Sequence, residues 1–172
     1  MSVGIRWWDL CVLCCVVMMQ LACDGHYVDD GMSDALLCRR CGHEIAIPSD
    51  ITTVISQRAV SRRNESIHHN ITALVQLFTN PQGHSFEVIT ALRANYTAHG
   101  DAYLEFTWFP GFKWTIIACP VCGVHIGWSF EAADGLESGN VPKKFVGLIL
   151  SRLLHESVVE SLILTPRAYR TA

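Results

Sequence analysis

The run FTWFPGFKWTIIACPVCGVHIGWSF, residues Phe106 to Phe130, holds three of the chain's five tryptophans, Trp108, Trp114 and Trp128, and a CPVC knuckle at Cys119 and Cys122. Pro110-Gly111 forces a turn between the first two tryptophans. WTIIACP after it reads as a strand leading into the knuckle. Beyond the knuckle VHIGWSFEA alternates, placing Ile126, Trp128 and Phe130 on one face of a strand and Gly127 and Ser129 on the other. A metal clamp between Trp114 and Trp128 would draw the turn and the strand together. Taken singly, each tryptophan reads as core. Taken together, the rings also suit a cage with flat apolar walls, for a methylated ammonium held by cation–π attraction or a small flat ring held by stacking.

Two CxxC pairs, Cys38/Cys41 and Cys119/Cys122, account for four of the eight cysteines. Two intervening residues let a tight turn aim both sulfurs at one ion. Two such turns make a closed tetrahedral zinc site with Zn–S distances of about 2.3 Å. Gly42 and Gly123 each follow a second cysteine, where the turn needs backbone freedom. Disulfides are the competing reading, within each pair or between them.

The remaining cysteines, Cys11, Cys14, Cys15 and Cys23, lie in or just after an apolar run from Leu10 to Ala22. That length fits the hydrophobic region of a signal peptide and is short for a bilayer span. Arg6 precedes it, and small residues follow. Residues 1–23 are therefore expected to be a cleaved signal peptide, giving a secreted chain without stable membrane association. Asn64-Glu65-Ser66, Asn70-Ile71-Thr72 and Asn95-Tyr96-Thr97 are glycosylation acceptors in form, which suits secretion. Residues 24–35 read as an acidic, flexible lead-in.

The chain has 172 residues, 50% hydrophobic and 17% charged, with net charge −3. This suits one globular domain and gives no reason to expect a nucleic-acid partner. ITALVQLFTN and HSFEVITALRA flank Pro81-Gln82-Gly83 and read as a hairpin. LEFTW reads as a further strand, and residues 95–101 as an exposed loop. KFVGLILSRLLHESVVESL is ambiguous between strand and helix, so the chain is mainly β with at most one late helix.

NPQGHSFE, FTWFPGFKW, CPVCGVHIGWSF and KFVGL, with LLCRRCGHEI ahead of them, resemble the thalidomide-binding CULT domain of the cereblon family in order and approximate spacing. The resemblance covers Leu36 to Leu154. It implies a zinc-pinned β-tent of two antiparallel sheets, placed here over residues 36–165, with one structural Zn2+ on Cys38, Cys41, Cys119 and Cys122. It also implies a pocket walled by Trp108, Trp114 and Trp128 with Phe130 at its base. Asn80 and Pro81 match the rim loop, and the main chain around Phe106 and Trp108 matches the strand that hydrogen-bonds an imide. The ligands so implied are cyclic imides or uracil-like rings, free or as a modified peptide end. The family has histidine where this chain has Phe106 and Gln82. There is no room for a Lon-like domain or ligase-adaptor helices, so the expectation is a stand-alone binding module, not a ubiquitin-ligase receptor by itself. The alternatives are an enzyme of the methionine sulfoxide reductase B type, which needs a nucleophilic thiolate outside the metal site, and a methylammonium cage. No acid–base pair or serine–histidine signature points to catalysis.

Overall fold

The computed structural model describes residues 35–68, 71–135, 139 and 141–154. The expected signal peptide, the lead-in up to residue 34, Asn70 and everything after Leu154 lie outside the described residues.

The hairpin around Pro81 is the organising element. β5 (Ile71–Thr79) and β6 (Ser85–Ala91) pair antiparallel with Phe78 opposite Phe86. Gly83 closes the turn at φ 85°, and its N–H donates to the Asn80 carbonyl at 2.9 Å. The Asn80 side chain accepts the His84 N–H at 2.8 Å, so the asparagine braces its own turn.

The motif stretch supplies β8 (Phe112–Ala118) and β9 (His125–Ala132), antiparallel across the second knuckle. β10 (Lys144–Ile149) fills the place between β9 and β6. The ambiguous KFVGLIL segment is thus a strand as far as Ile149, followed by a 3-10 turn at Leu150–Arg152. Its helix-like apolar spacing arises because both faces of this central strand are covered: Phe145, Val146, Leu148 and Ile149 are all buried. With β3 (Ile51–Thr52), β4 (Ser61–His68) and β7 (Thr97–Tyr103), the large sheet runs β4-β5-β6-β10-β9-β8-β7, with β3 also on β6. A smaller sheet, ordered β11-β1-β2, is made of β1 (Leu36–Cys38), β2 (Glu44–Ala46) and β11 (Leu153–Leu154). The fold is mainly β, in two antiparallel sheets.

Two local expectations are corrected. LEFTW is not a strand: Glu105 and Phe106 form a turn, and Phe106 sits at φ 57°, a left-handed backbone that cannot continue a ladder. Residues 97–101, expected as loop, belong to β7. Every residue of that edge strand is exposed, so no buried face imposes the alternation by which strands are recognised.

Two apolar clusters hold the sheets. One contains Leu36 and Ile45 of the small sheet with Ile89, Ile117, Ile126 and Leu148 of the large one. The other is aromatic, with Phe78, Phe109, Phe112, Phe130 and Phe145 buried and the three tryptophans packed against it. β9 and β10 approach closely because both are glycine where they cross. A Cβ on Gly127 would stand 1.9 Å from the Gly147 carbonyl oxygen, and one on Gly147 would meet the Phe130 ring at 3.0 Å.

Candidate functional site

The two knuckles sit at equivalent places in the two sheets. Cys38 ends β1 and Cys41 lies in the turn before β2, while Cys119 follows β8 and Cys122 precedes β9. Each turn closes in the same way. Gly42 N–H donates to the Cys38 carbonyl at 2.8 Å, and Gly123 N–H to the Cys119 carbonyl at 2.9 Å. Both glycines have positive φ, 73° and 68°, as the spacing required.

The four sulfurs lie within 4.8 Å of one another. Cys38–Cys122 is 3.7 Å and Cys41–Cys119 is 3.6 Å. Four thiolates about 2.3 Å from a tetrahedral ion stand about 3.8 Å apart, so the cluster fits one metal ion of zinc's size. The same separations are far beyond an S–S bond of about 2.05 Å, and all four cysteines are free. Without a cation the sulfurs hold their protons unequally. At Cys41 the His43 N–H favours the thiolate, but burial and the three neighbouring sulfurs outweigh it and push the thiol up to about 12. Burial also raises Cys119, yet the Cys122 and Val121 N–H groups and neighbouring sulfurs bring it down to about 7. Four thiolates coexist here only with a cation among them.

The aromatic residues surround a cavity of about 500 Å³. Asn80, Pro81 and Gln82 of the β5–β6 turn, Phe106, Trp108, Trp114, Trp128 and Phe130 all line it. All seven residues expected to bind ligand thus share one cavity. The Trp108 and Trp128 rings meet edge to face, with centroids 4.6 Å apart and planes at 71°. Trp108 is backed by Phe78, stacked at 4.7 Å. Trp114 is held at the far wall by its indole N–H, which donates to the Glu105 carbonyl at 2.8 Å, and by Tyr103 at 5.4 Å. Phe130 lies 1% exposed at the base.

Phe106 and Trp108 line the cavity beside the polar residues Asn80, Gln82 and His125. The Trp108 carbonyl accepts the Ser56 hydroxyl. Among the described residues, no partner is seen for the Phe106 carbonyl or the Trp108 N–H. Neither Glu105 nor Glu131 lines the cavity.

Phe86, Ile116 and His125 complete the lining. None of the three belongs to the residues expected to bind ligand. Phe86 stands 5.2 Å from Trp128 and edge-on to it, and 5.9 Å from Trp108. Its register opposite Phe78 was the available signal. His125 lies edge-on to Trp128 at 4.6 Å, and its Nε2–H donates to the Gly127 carbonyl at 3.0 Å in the neutral tautomer. Burial pushes its pKa below the usual imidazole value, opposed by the Gly127 carbonyl and helped by Arg152.

No family model matches the chain. Among curated proteins it is similar to Protein cereblon of Gallus gallus, 31% identical over 137 residues, which are 74% of this chain and 30% of that protein. Protein cereblon of Xenopus tropicalis is 32% identical over 73% of this chain and 30% of its own length. The Drosophila melanogaster protein is 32% identical over 64% of this chain and 16% of its own. The chain carries a cereblon-family, CULT-like domain. It spans less than a third of the length of these relatives.

Proposed function

We propose that this cereblon-like domain is a secreted, zinc-containing binding module whose tryptophan pocket takes a neutral cyclic imide or uracil-like ring, as a free small molecule or at a modified peptide end. The observation that carries the reading is the wall itself. Flat indole faces and Phe130 exclude water, while the Phe106 carbonyl and Trp108 N–H are left to pair with a ligand's N–H and C=O. Four sulfurs at tetrahedral spacing support zinc as the structural ion. The apolar run before residue 23 and the exposed Asn64 and Asn95 support entry into the secretory pathway.

A methylammonium cage is less favoured because no carboxylate lines the cavity. A reductase is less favoured because, among the described residues, all four cysteines belong to the cluster and none lines the cavity. We therefore read the domain as non-catalytic.

Titration followed by tryptophan fluorescence tests the reading, because the reporters line the site. Glutarimide should bind and its N-methyl derivative should bind at least about fivefold more weakly, since a lost donor leaves a buried acceptor unpaired at about 1–3 kcal/mol. Equal binding of the two refutes the hydrogen-bonding model. Binding of tetramethylammonium alone installs the cage reading in its place.

A further inference from the structure

Among the described residues the large sheet is open at both ends. β4 and β7 are its terminal strands, eight and seven residues long. Open edges of this length invite pairing with another chain and need a guard. β7 carries one already, a break in register between His99 and Tyr103 with Gly100 at φ 78°. Along most of its length β4 pairs regularly with β5, its only irregularity falling at the far end between Ser66 and His68.

Two of the three glycosylation sequons fall at these edges. Asn64 is exposed near the middle of β4, opposite Leu74. Asn95 is exposed two residues before β7 begins. Its main-chain N–H donates to the Ile45 carbonyl at 2.7 Å and its side-chain Nδ2 to the Glu44 carbonyl at 3.2 Å. A sugar on that nitrogen leaves one N–H, enough to keep the Glu44 bond. The first sugars then stand over a cleft of about 620 Å³ that includes Tyr96, Leu92 and Arg93.

We propose that Asn64 and Asn95 carry N-glycans that shield the two open edges of the large sheet, Asn64 across β4 and Asn95 beside the start of β7. A branched, hydrated sugar occupies the space an added strand would need. The proposal rests on the secretory reading above.

The test uses full-length chain expressed in a glycosylating cell. Protein from the medium is deglycosylated enzymatically in heavy-oxygen water and its peptides sequenced by mass spectrometry. Label at positions 64 and 95 is expected. Secreted protein without sugar at either position overturns the proposal and leaves the secretory reading standing. Retention in the cytosol without any glycan overturns both. A Ser66→Ala/Thr97→Ala chain keeps both asparagines but loses both sugars. It should self-associate in sedimentation at a concentration at least tenfold below that of the glycosylated protein. Adding Asn64→Lys should restore much of the lost solubility, because an edge charge replaces the sugar. A sugar-free chain that retains metal and stays monomeric over the same range overturns the shielding role.

Discussion

The indole of Trp108 lies flat on the ring of Phe78, with centroids 4.7 Å apart and planes within 8°. Phe78 is fully buried on β5, and Trp108 comes from the turn-rich segment before β8. The pocket wall is therefore an extension of the core: a buried ring sets the angle of a half-buried one. Trp108 in turn meets Trp128 edge to face at 4.6 Å, so both walls depend on one stack.

Phe78→Leu should test that dependence. Leucine fills most of the volume but offers no flat face. A stability loss of about 1–2 kcal/mol is expected by urea unfolding, including the aromatic pair's own contribution of about 0.5–1.5 kcal/mol. Affinity for glutarimide should fall several-fold although Phe78 is not among the cavity-lining residues. Trp108→Ala, Trp114→Ala and Trp128→Ala should each weaken binding by about 1 kcal/mol or more while the metal content stays unchanged. Unchanged affinity in Phe78→Leu would show that Trp108 is oriented without the stack.

The cysteine cluster predicts a pH-dependent metal affinity. Cys38 is raised by burial, against opposing N–H groups of Arg40 and Cys41, and Cys41 lies at about 12. Binding a divalent ion must strip these protons, so affinity falls as pH falls. Competition against a chelator should show weaker holding at pH 6 than at pH 8. Cys119→Ser should lose the ion and with it the link between β1 and the β8–β9 turn, giving unfolded or aggregated protein. Metal analysis and circular dichroism report both.

His125 adds a second pH dependence. Its folded pKa lies below the unfolded value of about 6.5, chiefly because burial disfavours the imidazolium. The unfolded chain thus binds the proton first as pH drops. The histidine's contribution is fully present above about pH 6.5 and is lost as pH falls through the folded pKa. Urea midpoints at pH 7.5 and 5.5 should differ more in the native chain than in His125→Gln. An equal difference in both would assign the acid sensitivity to the cysteines.

Much of this was legible because the decisive residues follow simple spacing rules. CxxC pairs with a following glycine fix a knuckle, and Pro-Gln-Gly between β-branched runs fixes the β5–β6 hairpin. Alternation in VHIGWSFEA put Trp128 and Phe130 on one face, and both line the cavity. The failures share a physical cause. β7 has no buried face and so no period. The β10 segment has two buried faces and so no strict alternation. LEFTW has strand-forming residues but a backbone reversed at Phe106, and that reversal depends on a distant indole bonded to Glu105. Phe86 was missed because its role depends on which strand lies across from it.

Phe106 combines a left-handed backbone at φ 57° with a side chain that is 71% exposed. For an L-residue with a Cβ this conformation costs about 1–2 kcal/mol relative to an ordinary one, and an exposed ring recovers little of it. The conformation persists because Trp114 holds the Glu105 carbonyl on one side and Thr107 is buried on the other, its hydroxyl accepting the Phe109 N–H at 3.3 Å. Phe106→Gly removes the clash without removing a buried contact. Folding should therefore change little or gain up to about 1 kcal/mol, the relief of strain being offset by the freer unfolded glycine. Ligand affinity should move the other way. A freer segment holds the Phe106 carbonyl and Trp108 N–H less firmly, and the ring no longer covers the cavity mouth. Phe106→Asn, which tolerates the same backbone, should keep the geometry but lose the cover. If asparagine binds glutarimide as phenylalanine does and glycine binds several-fold more weakly, the strained backbone is the functional element. Equal weakening in both variants would assign the effect to the phenyl ring.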